Sequence, residues 1–245
     1  MKTLAIIPAR YESTRFPGKL LAPLGGKPVL KWVWERANAA KTIDKVVIAT
    51  DHQLIFDAAT EWGAVVMMTS MDHQTGTDRC IEVAQNFPEY EIVINVQADE
   101  PFLDDSEIDE LNQLIQKSSD FDVATLCLKL RTEEEINNPN VVKLVKAGDR
   151  AHYFSRAPIP FLRDGGKTLK VTDHDYFQHI GVYAFKRNSL LNILNMPFGT
   201  WEQMEKLEQL RWMEAGYAFA VLEVAKKSIG IDTPEDLEAA ERMLE

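Results

Sequence analysis

Leu4-Ala5-Ile6-Ile7-Pro8-Ala9-Arg10-Tyr11-Glu12-Ser13-Thr14-Arg15-Phe16-Pro17-Gly18-Lys19 is the stretch on which the reading of the fold turns. It opens with an unbroken apolar run over 4–7, the pattern of a strand buried on both faces. It then turns polar, with three cations (Arg10, Arg15 and Lys19) against one acid, Glu12. Further short apolar runs follow at 45–49, 64–68, 91–96 and 121–130, most of them rich in Val and Ile. Amphipathic stretches at 29–39, 53–62, 77–86 and 105–118 separate them, and Pro28 suits the first turn of the helix it precedes. Strand–helix alternation of this kind predicts an α/β fold: a mostly parallel central sheet flanked by helices on both faces.

The pattern changes near residue 130. Residues 132–140 are polar and end in the turn signal Asn138-Pro139-Asn140. Strands are expected at 141–145, 179–185 and 218–224, helices at 200–215 and 234–244, and a mobile surface loop at 163–175. The chain of 245 residues reads as one domain, with about 130–185 as an inserted smaller subdomain or oligomer interface.

A net charge of −11 argues against a nucleic-acid or anionic-membrane surface as the main partner. Cys80 and Cys127 lie in apolar stretches, so two buried thiols are expected rather than a disulfide framework or a thiolate zinc site. The N-terminus has no signal-peptide pattern and no apolar run reaches membrane-spanning length, which predicts a cytoplasmic protein. The five histidines, at 52, 73, 152, 174 and 179, show no metal-ligand spacing.

The loop over 8–19 follows the first strand, where α/β sheets bind their ligands. A triphosphate concentrates charge on few oxygens. Arg10 and Arg15 offer planar forks, Lys19 a point charge, and Gly18 and Ser13 let backbone N–H groups approach. The loop carries neither the Walker A pattern nor Gly-x-Gly-x-x-Gly. Asp99, in Asn95-Val96-Gln97-Ala98-Asp99-Glu100-Pro101, falls at another strand end and suits a Mg²⁺ that arrives with phosphates; a helix-capping role is the competing reading. In Asp232-Thr233-Pro234-Glu235-Asp236, Thr233 reads as an N-cap, which leaves Asp232 outside the helix as a second possible ligand.

These motifs, with His73-Gln74-Thr75-Gly76-Thr77-Asp78-Arg79, Tyr153-Phe154-Ser155-Arg156, His179-Ile180-Gly181-Val182-Tyr183 and the segment 202–211, closely resemble the 3-deoxy-manno-octulosonate cytidylyltransferase (CMP-Kdo synthetase) family along nearly the whole chain. Ile7-Pro8-Ala9-Arg10 is shared with sialic-acid cytidylyltransferases, whereas Tyr11-Glu12-Ser13-Thr14-Arg15 is similar to the Kdo branch. The resemblance implies a Rossmann-like, glycosyltransferase-A-like nucleotidyltransferase fold, use of CTP and a 3-deoxy-octulosonic acid, Mg²⁺ dependence, a homodimer and a place in lipopolysaccharide biosynthesis. It implies catalytic roles for Arg10, Arg15, Lys19 and Asp99, with Asp99 and Asp232 as metal ligands. Pro8, Ala9, Arg10, Arg15, Lys19, Thr75, Gly76, Arg79 and Gln97 would bind the nucleotide, with Thr75, Gly76 and Arg79 near the cytosine. Arg156, His179, Tyr183, Glu208 and Gln209 would bind the sugar acid, Arg156 through its carboxylate.

Departures from the family pattern lie toward the sugar: Ala98 replaces a Gly, Ala184-Phe185 stands where Gly-Tyr is usual, and Phe161 where Trp is usual. They leave the choice between Kdo and its 8-amino variant open. Two other functions compete: a glycosyltransferase holding its metal on Asp173 and Asp175, and a non-catalytic nucleotide-binding protein of the same fold.

Overall fold

The structure, a computed structural model, describes residues 1–13, 15–163, 174–226 and 229–244. In chain order its elements are β1 (Thr3–Ala9), a 3-10 turn at Lys19–Leu21, β2 (Pro23–Leu24), β3 (Lys27–Pro28), α1 (Val29–Ala39), β4 (Lys45–Thr50), α2 (Gln53–Glu61), β5 (Val65–Met68), α3 (Gly76–Asn86), β6 (Ile92–Asn95), α4 (Asp105–Lys117) and β7 (Val123–Lys129). The second half adds α5 (Glu133–Asn137), β8 (Lys143–Ala147), β9 (Arg150–Ser155), β10 (Phe177–Lys186), α6 (Arg187–Ile193), α7 (Thr200–Glu205), α8 (Gln209–Glu214), β11 (Phe219–Val224) and α9 (Pro234–Arg242).

Among the described residues the main sheet has the order β5-β4-β1-β6-β10-β7-β11-β9-β8. β1 lies parallel to β4 and β6, β4 to β5, and β7 to β11. β10 runs antiparallel between β6 and β7, and β9 runs against β11. The apolar run of β1 has the physical cause expected of it. Leu4 and Ile6 pack into one core layer, Ala5, Ile7 and Ala9 into the other, and all are fully buried. Leu30, Ile55 and Leu111, from α1, α2 and α4, cover one face, while Ile81, Leu190 and Trp212, from α3, α6 and α8, cover the other. The helix-flanked α/β sheet expected from the alternation is the one observed, but it is mixed rather than mostly parallel. Among the described residues four of its eight neighbouring pairs are antiparallel, because β10 enters between β6 and β7 and the β8–β9 hairpin closes the far edge. Cys80 and Cys127 are free and buried.

Three differences from expectation have identifiable physical causes. The helix expected over 200–215 is broken into α7 and α8 at Lys206, whose φ of 54° is left-handed. The carbonyl of Glu205 accepts from Arg156 Nε at 2.8 Å, which caps the end of α7 from outside its own sequence. α5 was missed because it is a single short turn capped by Thr132, whose hydroxyl accepts from the Glu135 N–H at 3.2 Å. β9 was missed because its Arg-Ala-His-Tyr-Phe-Ser composition carries little strand signal. Within the segment expected as a subdomain, β8 and β9 pair with each other, β9 joins the sheet through β11, and β8 also pairs with β10. Most of the expected mobile loop, residues 164–173, lies outside the described residues.

Trp212 is fully buried, edge-on to Tyr183 and Phe185 at 5.2 Å each and stacked on Phe219 at 6.1 Å. Trp212→Ala is expected to cost about 3–5 kcal/mol. The effect would be seen as a lower urea midpoint at unchanged slope, whereas Trp212→Phe should cost far less.

Candidate active site

Parallel pairing of β1 with β6, in register from Thr3↔Ile92 to Ile6↔Asn95, carries the loop after β1 and the segment Gln97-Ala98-Asp99 to one rim of the sheet. Gly18 closes the loop. Its φ of 72° is one that a side chain would strain, and its N–H donates to the Tyr11 carbonyl at 3.2 Å. The 3-10 turn that follows delivers Lys19. Its ammonium donates to Asp99 Oδ2 at 2.6 Å and to Asp232 Oδ1 at 2.9 Å, with the side chain only 11 % exposed. Arg15 Nη2 lies 3.0 Å from Asp232 Oδ2. Burial works against the Lys19 charge, but Asp99 and Asp232 more than offset it, so the ammonium pKa is raised.

Asp232 is brought to the rim by backbone. The Ile231 N–H donates to the Asp99 carbonyl at 2.8 Å, and a capping box between Thr233 and Asp236 starts α9 immediately afterwards. Asp99 and Asp232, from opposite ends of the sequence, thus converge on one point. Their hard carboxylate oxygens suit Mg²⁺ with phosphate and water completing the shell. Among the described residues no group of three or more His, Cys, Asp and Glu is arranged to hold a metal by itself.

A cavity of about 250 Å³ opens over this constellation, lined by Pro8, Arg10, Glu12, Ser13, Lys19, Leu20, Gly76, Gln97, Ala98 and Asp99. Thr75 caps α3 and Gly76 begins it; a Cβ at Gly76 would stand 3.2 Å from Pro8 Cγ, so the absence of a side chain lets α3 and β1 close together. Ala9, the last residue of β1, is buried behind the loop.

A second cavity, of about 720 Å³, shares Arg10, Glu12 and Ser13 with the first and extends to Asp51, His52, Met71, His73 and Arg79. Arg79 is 1 % exposed, paired with Asp51 and donating to Thr69 Oγ1 at 2.6 Å. Arg10 donates to the His73 carbonyl, and burial, then the nearby Arg79 charge, lower its pKa. Tyr11 stacks on His52 with ring centroids 4.0 Å apart. The sequence reading missed Asp51 and His52. The signal was available, since they follow the end of β4 just as Asp99 follows the end of β6.

The residues assigned to the sugar divide into groups. His179 Nδ1 lies 3.4 Å from Gln209 Nε2 and His179 Nε2 lies 2.9 Å from Thr125 Oγ1. The amide nitrogen can only donate, so Nδ1 accepts and Nε2 carries the proton of a neutral imidazole. Burial takes the His179 pKa down to about 3. Tyr183, tilted against His179 at 5.4 Å, has its phenol pKa pushed well up by burial. Glu208 Oε2 accepts from Thr77 Oγ1 at 3.0 Å, linking the start of α8 to the start of α3, and burial raises its pKa to about 7. Arg156 bonds instead to carbonyls, Pro139 O at 3.0 Å and Glu205 O at 2.8 Å. Of the pair in the competing metal reading, Asp175 is ion-paired with Lys129 and Asp173 lies outside the described residues.

The two shifted groups pull stability in opposite directions. His179, lowered from 6.5 to about 3, gives stability that is present above pH 6.5 and lost on acidification. Glu208, raised from 4.5 to about 7, gives stability that is present below pH 4.5 and lost as pH rises through about 7. Between pH 4.5 and 6.5 the two slopes offset. In thermal and denaturant melts across that window, Glu208→Gln should become less stable on acidification and His179→Gln less stable on alkalinisation. Each slope should approach about 1.4 kcal/mol per pH unit. Unchanged slopes would contradict the assignment.

The cytidylyltransferase family model matches residues 4–242. A 3-deoxy-manno-octulosonate cytidylyltransferase of Solibacter usitatus is 45 % identical over 244 residues, covering 99 % of this chain and 94 % of that protein. Its counterpart in Flavobacterium johnsoniae is 42 % identical over 247 residues, covering 100 % and 99 %. The solved structure of a CMP:2-keto-3-deoxy-manno-octonic acid synthetase complexed with CTP superposes with a TM-score of 0.93 at 38 % identity, covering 100 % of this chain and 98 % of that one. A 4-diphosphocytidyl-2C-methyl-D-erythritol synthase of Anaerococcus prevotii shares the fold alone, with a TM-score of 0.65 at 17 % identity over 99 % of this chain and 98 % of that one.

Proposed function

The chain belongs to the cytidylyltransferase family, and on that premise we propose that it joins CTP to a 3-deoxy-manno-octulosonic acid, Kdo or its 8-amino variant, giving the CMP-sugar and pyrophosphate for lipopolysaccharide biosynthesis. The observation that carries the reading is the Lys19 ammonium held between Asp99 and Asp232, with Arg15 alongside, under a cavity walled by Pro8, Arg10, Gly76 and Gln97.

In this reaction the anomeric hydroxyl of the sugar attacks the α-phosphorus of CTP in line. A new P–O bond forms, the bond to the bridging oxygen of the β-phosphate breaks, and the hydroxyl proton is released. Charge grows on the α-phosphate oxygens and on the departing pyrophosphate. Lys19, Arg10 and Arg15 are the cations placed to balance it, and their work is positioning and electrostatics. Asp99 and Asp232 would hold Mg²⁺, which when bound supplies countercharge to the phosphates and polarises the sugar hydroxyl. Partial enclosure strengthens each of these interactions over its value in water.

The acceptor half is read on His179, Tyr183, Glu208, Gln209 and Arg156. The Thr77–Glu208 bond joins it to the nucleotide cavity and supports this reading. A cytoplasmic homodimer completes the proposal. Two free buried thiols are consistent with a reducing compartment. No helix among the described residues is long and apolar enough to cross a membrane. Phe161, Phe198 and Met204 stand 83 %, 64 % and 78 % exposed, apolar surface of the kind a second copy would cover.

The test is an acceptor panel of Kdo, 8-amino-Kdo and sialic acid, read by CTP- and Mg²⁺-dependent pyrophosphate release. Release with one or both octulosonic acids and none with sialic acid is expected. Release with neither octulosonic acid would remove the proposal.

A further inference from the structure

Lys143 is fully buried, and its ammonium donates to the carbonyls of Asn138 at 2.9 Å, Val141 at 2.6 Å and Arg156 at 2.5 Å. An ammonium has three N–H groups, and here each has an acceptor. None of the three is a carboxylate, so the ammonium's hydrogen bonds are all to backbone dipoles. Burial, then the Arg156 charge, lower the lysine's pKa, with Glu205 opposing. Such a lysine contributes little net stability compared with a well-packed apolar side chain. What it supplies is geometry, because it ties the turn over 138–142 to the residue just past the end of β9.

That turn supports two of the side chains read as acceptor contacts. The Val142 carbonyl accepts from the His179 N–H at 2.8 Å, fixing the backbone from which the imidazole projects. The Pro139 carbonyl accepts from Arg156 Nη1 at 3.0 Å, while Arg156 Nε and Nη2 donate to the Glu205 and Lys206 carbonyls at 2.8 and 3.4 Å. Those three bonds leave two of the five guanidinium N–H groups for a carboxylate ligand. The β8–β9 ladder already pairs Lys143 with Ser155, and the ammonium–carbonyl bond carries that tie one residue further, to Arg156, while the other two bonds bring in the turn.

We propose that Lys143 is a positioning residue for the acceptor, fixing the backbone beneath His179 and the place of the Arg156 guanidinium, whose two remaining N–H groups are left to hold the carboxylate of a 3-deoxy-octulosonic acid. The inference rests on the acceptor reading of His179 and Arg156 given above. Lys143 lines neither cavity, so its effect should fall on one substrate only.

The experiment uses the full chain as Lys143→Met and Lys143→Arg. KM is measured for Kdo at saturating CTP and for CTP at saturating Kdo, with CTP affinity and thermal melting taken on the same preparations. Lys143→Met should raise KM for the sugar acid by about tenfold or more, since a small misplacement of a binding group is costly. KM and affinity for CTP should stay within about twofold, the scale of a change at an uncontacted site. Lys143→Arg keeps charge and donors and should recover part of the loss. An unchanged sugar KM with only a lower melting temperature would overturn the proposal in favour of a purely structural lysine, and so would equal rises in both KM values. If the Met variant does not fold, the Arg variant carries the same comparison against wild type, since its planar fork cannot meet all three carbonyls as the ammonium does. A wild-type protein that turns over no octulosonic acid would remove the acceptor reading and this inference with it. That failure is visible before any variant is compared.

Discussion

Lys19→Met is expected to lower kcat by about 10²–10³-fold, the usual effect of deleting one preorganised donor aimed at developing charge. The ammonium is already fixed in the protein without substrate. It is 11 % exposed, held by Asp99 and Asp232 at 2.6 and 2.9 Å, and reaches the cavity that Pro8, Arg10 and Gln97 line. Removing it has two consequences. The leaving pyrophosphate loses a point charge, and Asp99 loses its ammonium partner while Asp232 keeps only Arg15, so more negative charge faces the incoming triphosphate. CTP affinity should therefore fall together with kcat. Lys19→Arg should rescue poorly, because a planar fork cannot replace a compact ammonium bridging two carboxylates. Steady-state kinetics with CTP varied checks this, and activity within about fivefold of wild type would contradict a transition-state role.

Asp99→Asn and Asp232→Asn are each expected to abolish the Mg²⁺ response and to lower kcat by at least about 10²-fold, as loss of a metal ligand or its anchor does. The more telling expectation concerns the double variant. Both carboxylates contact one ammonium and are read as sharing one ion, so they act as a unit. The double substitution should cost little more than the worse single one, as with residues of one catalytic constellation. Additive losses would mean that the two aspartates act separately, and the shared-ion reading would have to be abandoned. Measured Mg²⁺ binding in the presence of CTP separates loss of the ion from loss of fold.

How much of this was legible in the sequence depended on how local the cause was. The β1 run and the loop behind it were readable because burial on both faces demands continuous apolar residues, and because ligands gather at strand ends. Asp99 followed from the same rule, and Asp232 from the capping pattern that leaves it just outside α9. Their convergence on Lys19 was not readable, since it joins residues 19, 99 and 232 through the register of the sheet. The break between α7 and α8 is supported from outside, by Arg156 bonding to the carbonyls of Glu205, the last residue of α7, and Lys206, and no local propensity records it. Lys143 looked like one polar position in a short strand, and only the packing of a distant turn shows it to be buried. Arg156, His179, Tyr183, Glu208 and Gln209 carried no signal of their own and were named by family resemblance alone. Arg79, placed near the cytosine by that resemblance, is held in an ion pair with Asp51 at the wall of the second cavity.

Ala98 marks where the account is most specific to this chain. It is 6 % exposed in the cavity wall beside Gln97 and Asp99, where the related pattern carries glycine. Its methyl group narrows the approach of a ligand to that backbone. Ala98→Gly is expected to change the preference between Kdo and 8-amino-Kdo, measured as the ratio of their kcat/KM values, with KM for CTP unmoved.

The central claim is that this chain transfers a cytidylyl group to a sugar acid. The most direct measurement follows CTP labelled at the α-phosphate through a single turnover with Mg²⁺ and Kdo or 8-amino-Kdo. The label is expected in a CMP-sugar, with one pyrophosphate formed for each CTP consumed. Label recovered as free CMP, or CTP left intact with both acceptors, would contradict it.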